Sequence, residues 1–411
     1  MRCDVPTGVL SVRNSSTYAG DADPPADGSD SKDNSPQEDG NSQDSYGSGQ
    51  TNEGATGTQE DLPLAVPAIA FLYQEGPVLV CAVSSDGRRV VTGGCGDRAL
   101  VWNLDTGKLA FDCAVHRDET TCAGFNHDST LLCTCGGTGT VRVWSMRVYQ
   151  VVCTFTTVTL VGWVKWSRDD NVLLTGTVDG LLWMWQVLDG QCKTMQGSFT
   201  ECSVGRSLAD GRRAAAACED GSVCIRDLHK VHLFHGMTGP SRMHANLVLC
   251  LDVGREIVVT AADEVQVMKA STGKQLLTIR PVEETAAVTH DDYVSALDLD
   301  YRQRMLVMGT NIGDLVLWDF NCAVQKQSFQ YPSAATRAVW KRPHTELTAC
   351  KDGFVREWDV RIGNHDSAAV LEVFLNPDCL LGPVPRRTLL CGQCIAGTCA
   401  VYRFASPDRY A

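Results

Sequence analysis

The 411-residue sequence has no apolar run close to the roughly 18 residues that a membrane-spanning helix needs. Its start, Met1–Pro6, lacks the long apolar stretch of a secretory signal, so we expect a cytoplasmic protein that could also enter the nucleus. Basic residues are too few for a protein that coats nucleic acid, because 36 Lys and Arg stand against 49 Asp and Glu, a net charge of −13. These absences favour an acidic protein that is not inserted in a membrane.

The sequence also lacks a convergent set of catalytic or metal-binding groups. Cys391–Cys394 forms a CxxC, but no second CxxC or histidine pair completes a zinc set. His229, His232 and His235 are spaced for one face of a helix, yet they stand in a segment with the pattern of a strand. The 19 cysteines are expected to be thiols, as is usual in a reducing compartment. We therefore predict no enzymatic activity, no cofactor and no metal.

Charge is concentrated at the amino terminus. Residues 1–62 contain 12 acidic and 3 basic residues, a net of −9, which leaves −4 for the other 349 residues. From Asp21 to Asp61 the chain is rich in Ser, Gly, Asp and Asn and cannot bury enough apolar surface to offset its ordering entropy. We predict a disordered acidic tail over 1–62 and a short carboxyl-terminal tail over 406–411. The acidic tail would serve as a solubilising extension or as a clamp for a basic partner.

One element recurs after residue 62: a glycine turn followed by an alternating strand that ends in a large aromatic residue. Asp179–Trp185 and Asp352–Trp358 are the clearest copies, and Asp220–Arg226 is a weaker one. Asp-Gly favours a tight hairpin turn because glycine accepts positive φ. The strand-ending positions, which are spaced by 42, 41, 41, 42, 50, 40 and 44 residues, are Trp102, Trp144, Trp185, Arg226, Met268, Trp318, Trp358 and Tyr402.

A period of this length predicts an all-β fold, a β-propeller with four strands in each blade. Eight strand endings indicate eight blades over residues 63–405, with seven as the alternative. The segment near Val66–Tyr73 is expected to close the ring as the outer strand of the last blade. The 50-residue spacing predicts a loop insertion around 280–292.

These repeats resemble those of WD-repeat proteins. Trp318-Asp319 and Trp358-Asp359 carry the dipeptide that gives the repeat its name, and Val115-His116 occupies the usual Gly-His place. The resemblance implies that His, Ser or Thr, Trp and the turn Asp form a hydrogen-bond network that braces each blade. The structural repeat positions are therefore expected to be Trp102, His116, Trp144, Trp185, Trp318, Asp319, Trp358 and Asp359.

A closer resemblance is to the angio-associated migratory cell protein family. It rests on Cys122–Leu131, Gly162–Trp166, Trp183–Trp185 and Gly190–Gly197, which look like the second to fourth repeats of that family, and on the closing Pro407–Arg409. The resemblance implies a cytoplasmic scaffold without catalytic activity. Animal members are associated with cell migration and angiogenesis. The similar fungal member is an eight-bladed chaperone for a basic ribosomal protein of the large subunit.

The propeller register also predicts an acidic face, here called the top face. It carries the loop before the first strand of each blade and the turn between the second and third strands. Basic residues recur in the turns of the opposite, bottom face. Solvated turns favour charged residues in any case. The candidate partner-binding residues of the top face are Asp97, Glu119, Trp163, Asp179, Glu201, Glu219, Asp220, Asp292 and Asp352.

We expect Trp163 to lie near the mouth of the propeller, where it or Tyr293 could grip an apolar residue of a partner; packing of Trp163 against the next blade is the alternative. The leading hypothesis is a dedicated chaperone that binds a basic segment of a large-subunit ribosomal protein on its acidic top face. The alternative is a cytoplasmic signalling scaffold. RNA contact would use the bottom-face arginines Arg88, Arg89, Arg212, Arg213, Arg302 and Arg304. A closed ring needs no partner to cover its edges, so a monomer is expected.

Overall fold

The computed structural model describes residues 78–113, 116, 118–196, 198–230, 232–238, 241–280, 292–300, 302, 304–342 and 345–351, together with the strands at 69–71, 355–359, 369–371, 389–393 and 399–403. Every regular element of these residues is a β-strand or a turn, and the strands form eight antiparallel sheets. Seven sheets have four strands and one has three. The predicted all-β propeller is confirmed, and the eight sheets are its blades. The predicted tails at 1–62 and 406–411 lie outside the described residues.

Each blade uses strands that follow one another along the chain, apart from the last blade. Blade 1 consists of β2 (Val78–Val83), β3 (Arg89–Gly94), β4 (Ala99–Asn103) and β5 (Leu109–Asp112), and blade 2 of β6 (Thr120–Phe125), β7 (Leu131–Gly136), β8 (Thr140–Ser145) and β9 (Gln150–Thr156). Blade 3 consists of β10 (Val161–Trp166), β11 (Val172–Thr177), β12 (Leu181–Gln186) and β13 (Gln191–Gln196), and blade 4 of β14 (Cys202–Ser207), β15 (Arg213–Cys218), β16 (Val223–Asp227) and β17 (His232–Met237).

The later blades repeat this order. Blade 5 consists of β18 (Cys250–Val253), β19 (Ile257–Ala261), β20 (Val265–Lys269) and β21 (Gln275–Ile279), and blade 6 of β22 (Val294–Asp300), β23 (Met305–Thr310), β24 (Asp314–Asp319) and β25 (Val324–Gln330). Blade 7 consists of β26 (Ala335–Arg342), β27 (Thr345–Cys350), β28 (Val355–Asp359) and β29 (Ala369–Leu371). Blade 8 joins β30 (Leu389–Gln393) and β31 (Cys399–Arg403) to β1 (Ile69–Phe71) from the other end of the chain.

The ring is closed by pairing the two ends of the propeller. β1 runs antiparallel to β31, with Phe71 opposite Cys399 and Ile69 opposite Val401. The innermost strand of each blade packs beside that of the next from β2 to β26, and β30 packs beside β2. The segment expected to close the ring is therefore correctly placed.

The predicted period matches the strand pattern. Each of the eight strand-ending positions lies in the strand that precedes the outer strand of its blade, from Trp102 in β4 to Tyr402 in β31. The predicted insertion falls in the connection between β21 and β22, of which residues 281–291 lie outside the described residues.

The hydrophobic core lies between neighbouring blades. Phe125, Leu132 and Trp144 of blade 2 pack with Val80 and Val91 of blade 1, and similar clusters fill the later boundaries up to that of blades 6 and 7. The second strand of each of blades 1 to 6 is buried almost along its whole length, since both of its faces meet a neighbouring sheet.

In each of blades 1 to 3, a tryptophan of the third strand donates a hydrogen bond to a threonine of the second strand. The indole Nε1 of Trp102 donates to Thr92 Oγ1 at 3.0 Å, that of Trp144 to Thr134 Oγ1 at 2.9 Å, and that of Trp185 to Thr175 at 3.2 Å. A buried indole N–H needs an acceptor, and the threonine ten residues earlier supplies it.

Blade 2 extends this network with a different partner from the one expected. His116 Nε2 lies 2.7 Å from Thr134 Oγ1, while the Nδ1 atom is 3.0 Å from a guanidinium nitrogen of Arg142 rather than a turn carboxylate. Because arginine only donates, Nδ1 accepts and Nε2 carries the proton. Burial, aided by the charge of Arg142, lowers the pKa of His116 to about 4, so the ring is neutral at pH 7.

The degenerate blades lose parts of the network. Met308 stands where the threonine is expected in blade 6, and the buried Nε1 of Trp318 has no hydrogen-bond partner. Asp319 accepts main-chain bonds from Asn321 and Cys322 at 3.0 and 3.2 Å and so caps the turn before β25. Trp358 and Asp359 lie in β28, whose side chains are not described.

Candidate protein-binding face

The top face is assembled in the same way in successive blades. In blades 2, 3, 4, 6 and 7, the residue before the inner strand accepts a main-chain hydrogen bond from the turn between the second and third strands of the same blade. These bonds run from Gly137 to Glu119 (2.9 Å), Val178 to Leu160 (3.1 Å), Glu219 to Glu201 (2.9 Å), Asn311 to Tyr293 (3.0 Å) and Lys351 to Ala334 (2.9 Å). The loop and the turn of each blade are therefore fixed side by side.

Carboxylates outnumber cations in the described loops and turns of this face. The ten acidic residues are Asp97, Asp118, Glu119, Asp179, Glu201, Glu219, Asp220, Asp263, Glu264 and Asp292, and the four basic residues are Arg98, Arg242, Arg280 and Lys351. Two of these cations have partners of their own, because Arg98 lies 2.9 Å from Asp112 and Arg280 lies 3.9 Å from Glu264. Asp352 lies outside the described residues.

Blade 4 brings three of the predicted carboxylates together. Glu201 and Glu219 are joined through their main chains, and Asp220 follows directly in the turn. Ser198 Oγ donates to Asp220 Oδ2 at 2.7 Å, and the Ser222 amide donates to Oδ1 at 2.9 Å. Partial burial alone would raise the pKa of Asp220, but these hydrogen bonds outweigh it and lower the pKa below its usual value. Asp220 is therefore ionised and held in a fixed position.

The other predicted carboxylates differ in exposure. Asp97 and Glu119 are exposed, while Asp179 is half-buried and accepts a hydrogen bond from Thr177. In blade 6, burial and the nearby charge of Asp292 raise the pKa of Asp314. Two carboxylates close enough to affect each other's ionisation favour a cation between them.

Trp163 is not part of the exposed face, so the expectation that its indole contacts an apolar residue of a partner is wrong. Its side chain is 0% exposed, and its Nε1 donates to the carbonyl oxygen of Cys202 in the next blade at 2.9 Å. The indole occupies space left by Gly176 and Gly205, where an added Cβ would lie 2.2 and 2.3 Å from the ring. Trp163 therefore packs against the next blade, which was the alternative.

The residues that sequence reasoning missed are apolar. Phe199 is 93% exposed, Val158 is 85% exposed and Leu160 is 50% exposed, all in the loops that lead into blades 3 and 4. The sequence does indicate such residues where a large apolar side chain stands in a short polar loop, as in Ser198-Phe199-Thr200. We call these three residues the apolar patch.

The bottom face does not present all of the predicted arginines to a partner. Arg212 lies 2.9 Å from Asp227, and Arg213 lies 2.5 Å from Asp210 and 3.2 Å from Glu256. Arg213 is only 8% exposed. Arg213 is therefore withdrawn from a partner, whereas the side chain of Arg212 stays 54% exposed beside Asp227. Arg88, Arg302 and Arg304 are exposed, and Arg89 donates to the Ser129 carbonyl at 3.3 Å.

The described part of the chain contains neither a metal-binding cluster nor a membrane-spanning helix. No cluster of three or more His, Cys, Asp or Glu side chains there could hold a metal ion. None of its elements is a helix long and apolar enough to cross a membrane. The fourteen cysteines whose side chains are described, from Cys81 to Cys350, are free thiols; the side chains of Cys391 and Cys394 are not described.

Comparison with known proteins agrees with this architecture. The family model of the WD domain, G-beta repeat, matches residues 107–145. Angio-associated migratory cell protein is 33% identical over 314 residues in both dog (Canis lupus familiaris) and human (Homo sapiens), an alignment that covers 71% of each chain.

Solved structures with the same fold include two forms of Sqt1. Sqt1 of Saccharomyces cerevisiae superposes with a TM-score of 0.72 at 15% identity, covering 84% of this chain and 100% of Sqt1. Sqt1 of Chaetomium thermophilum, in a crystal structure bound to the N-terminus of the ribosomal protein L10, superposes with a TM-score of 0.69 at 14% identity, covering 82% and 99% of the two chains.

Proposed function

Because this chain is a WD-repeat scaffold that belongs to the angio-associated migratory cell protein family, we propose that it acts as a chaperone for a ribosomal protein. In this proposal the top face holds a cationic segment of a large-subunit ribosomal protein before assembly. The chain acts through binding and carries out no reaction. We further propose that it works as a monomer in the cytoplasm, with entry into the nucleus as a second location.

The observation that carries this proposal is the group of carboxylates on blade 4. The Asp220 carboxylate is fixed by hydrogen bonds from Ser198 and Ser222, and the main chains of Glu201 and Glu219 are joined, so this part of the face does not have to be ordered when a partner binds. A free ribosomal protein is a cationic chain that would otherwise bind RNA without specificity. Fixed carboxylates neutralise such a chain and increase its rate of association.

The solved complex of the Chaetomium thermophilum protein supports the choice of client. That propeller shares this fold and binds the N-terminus of the ribosomal protein L10. We therefore take the N-terminal segment of L10 as the first candidate client. Burial of the bottom-face Arg213 between Asp210 and Glu256 supports a protein client over RNA.

A matched pair of triple variants tests the proposal. The top-face variant is Glu119→Gln with Glu201→Gln and Glu219→Gln, and the bottom-face control is Asp169→Asn with Asp170→Asn and Asp189→Asn. Both remove three negative charges, so the net charge is the same. We expect the top-face variant alone to lose affinity for the L10 N-terminal peptide. The difference should shrink with added salt, because exposed charges are screened beyond about 8 Å at physiological ionic strength.

The client is identified by a pull-down at low and high salt followed by mass spectrometry. Recovery of one basic large-subunit ribosomal protein that is released by salt supports the proposal. Equal peptide binding by the two triple variants would contradict it. Recovery of salt-resistant signalling proteins would favour the second candidate, a cytoplasmic signalling scaffold, for which the exposed Phe199 and Val158 supply apolar contacts.

A further inference from the structure

The apolar patch is held in place by hydrogen bonds and is not part of a loose loop. The Thr157 amide donates to the Gly139 carbonyl at 3.0 Å, and the single proton of the Thr157 hydroxyl lies between the carbonyl oxygens of Gly139 (2.9 Å) and Thr159 (2.6 Å). Thr157 and Thr159, the two neighbours of Val158, are thereby joined. Leu160 accepts the main-chain bond from Val178 at 3.1 Å. The loops therefore present these side chains to solvent in a defined conformation.

The loop that carries Phe199 is fixed on both sides. Ser198 donates to Asp220, and the Ser198 carbonyl accepts from Gln196 Nε2 at 2.6 Å. Gly180 has a φ of +81°, and a Cβ there would lie 2.2 Å from the Ser198 carbonyl and 2.5 Å from the Thr200 carbonyl. The glycine turn of blade 3 thus fits against the loop. Phe199 stays 93% exposed although its neighbours on both sides are anchored.

The patch is local. On the described part of the top face, Ile312 of blade 6 is the one other large apolar side chain with comparable exposure, at 41%. Trp163, by contrast, is fully buried in the joint between blades 3 and 4 directly below these loops. The packing of the propeller therefore does not use the apolar patch.

Carboxylates stand on both sides of the patch. Leu160 occupies the position before the inner strand of blade 3, and Glu119 and Glu201 occupy the same position in blades 2 and 4. Asp220 binds the loop that carries Phe199. A purely apolar partner would desolvate these carboxylates without compensation, and a purely cationic partner would leave Phe199 in water. Charge and exposure together fit an extended segment with basic residues on either side of an apolar one.

We propose that the apolar patch is a subsite that selects client segments in which a large apolar side chain is flanked by Arg or Lys. This inference rests on the proposed function and adds a specificity determinant to it. The carboxylates supply affinity that depends on charge, and Phe199, with Val158 and Leu160, discriminates among cationic segments. Such discrimination requires an attractive element beyond charge, because many cellular segments are basic.

Two peptides that differ at one position test the subsite. Both carry the same Arg and Lys residues, and the central residue is Leu in one and Ser in the other. We expect the full-length protein to bind the Leu peptide about ten- to a hundredfold more tightly, the effect of burying one such side chain. Phe199→Ser should remove most of this preference and leave the affinity for the Ser peptide unchanged. Leu188→Ser, at a bottom-face residue that is 71% exposed, is the matched control and should change neither affinity.

The outcomes separate the two proposals. Equal binding of both peptides by the unaltered protein, or an equal loss for both in Phe199→Ser, overturns the subsite. The top-face triple variant should weaken both peptides by the same factor and preserve the preference for Leu. A preference for Leu that persists while binding is insensitive to salt and to the triple variant would support the subsite and overturn the electrostatic chaperone. Thermal unfolding of Phe199→Ser should match that of the unaltered protein, since the side chain makes almost no internal contact.

Discussion

Trp163 donates its indole hydrogen bond to the main-chain carbonyl of Cys202, across the boundary between blades 3 and 4, at 2.9 Å. The ring lies over Gly176 of its own blade and Gly205 of the next. The indole therefore replaces the side chains that these two strands lack, and one residue joins two sheets.

This joint predicts that Gly205→Ala is destabilising. The added methyl would lie 2.3 Å from the buried indole, which has no exposed direction in which to move. We expect the free energy of unfolding to fall by about 1–3 kcal/mol, as in other overpacked cores. The matched control is Gly162→Ala, where the nearest atom would be 3.5 Å away, and it should change stability by less than about 0.5 kcal/mol. Urea unfolding measures both, and equal losses would contradict the prediction.

A second prediction concerns the carboxylate of Asp252 in blade 5. It lies 3.1 Å from the Arg206 guanidinium of blade 4 and accepts from the Leu299 amide of blade 6 at 2.8 Å. Asp252→Asn should lower the free energy of unfolding by about 3 kcal/mol, because it leaves a buried arginine without its counter-charge. Arg98→Gln, which breaks an ion pair whose arginine is 58% exposed, should cost less than about 1 kcal/mol. Adding Arg206→Met to Asp252→Asn should recover part of the loss; a further loss would show that the charge pair is not the cause.

A third prediction is a loss of stability in mild acid. Burial lowers the pKa of His116 and of His244 to about 4, from a usual value of 6.5. The folded state binds these protons less readily than the unfolded state. The free energy of unfolding is therefore not reduced by these two groups above pH 6.5. It falls as the pH drops towards 4, by on the order of 3 kcal/mol for each imidazole. His116→Gln should flatten the pH dependence of unfolding measured in urea. An unchanged slope would contradict the assignment.

A fourth prediction is that the first strand, β1, contributes to stability and the amino-terminal tail does not. Deletion of residues 1–62 should leave the melting temperature unchanged, because β1 begins at Ile69. Deletion of residues 1–73 removes β1 and leaves β31 without its outer neighbour. Stability should then fall by about 1 kcal/mol for each hydrogen bond lost. Calorimetry of the two truncated chains measures the difference, and equal melting temperatures would contradict the role of β1.

The propeller fold could be predicted from the sequence because the same strand pattern recurs in successive blades. Trp102, Trp144 and Trp185 each pair with a threonine ten residues earlier, and this constraint recurs at the spacing of a blade. Even blades that have lost the tryptophan, such as those with Arg226 and Met268, keep the spacing, because the neighbouring sheets still require four strands of similar length.

The site was less predictable because it depends on single residues. The pairing is regular from Trp166 back to Trp163, so counting along the strand gives the face on which the indole lies but not what covers that face. The space for the indole comes from Gly176 and Gly205, on other strands. Phe199 belongs to no repeat, and its exposure depends on hydrogen bonds between Ser198, Asp220 and the turn of blade 3. The acidic residues were found because turns at known positions expose them.

The pairing of β1 with β31 also has a consequence for biosynthesis. Phe71 leaves the ribosome long before its partner Cys399 is made. Blades 1 to 7 each use strands that are close in sequence and can form in order as the chain lengthens. The eighth blade requires contact between distant parts of the chain, which makes it a slow step of high contact order. A nascent propeller therefore leaves β1 unpaired until β31 has been made, and this is the period in which it is most open to mispairing with another chain.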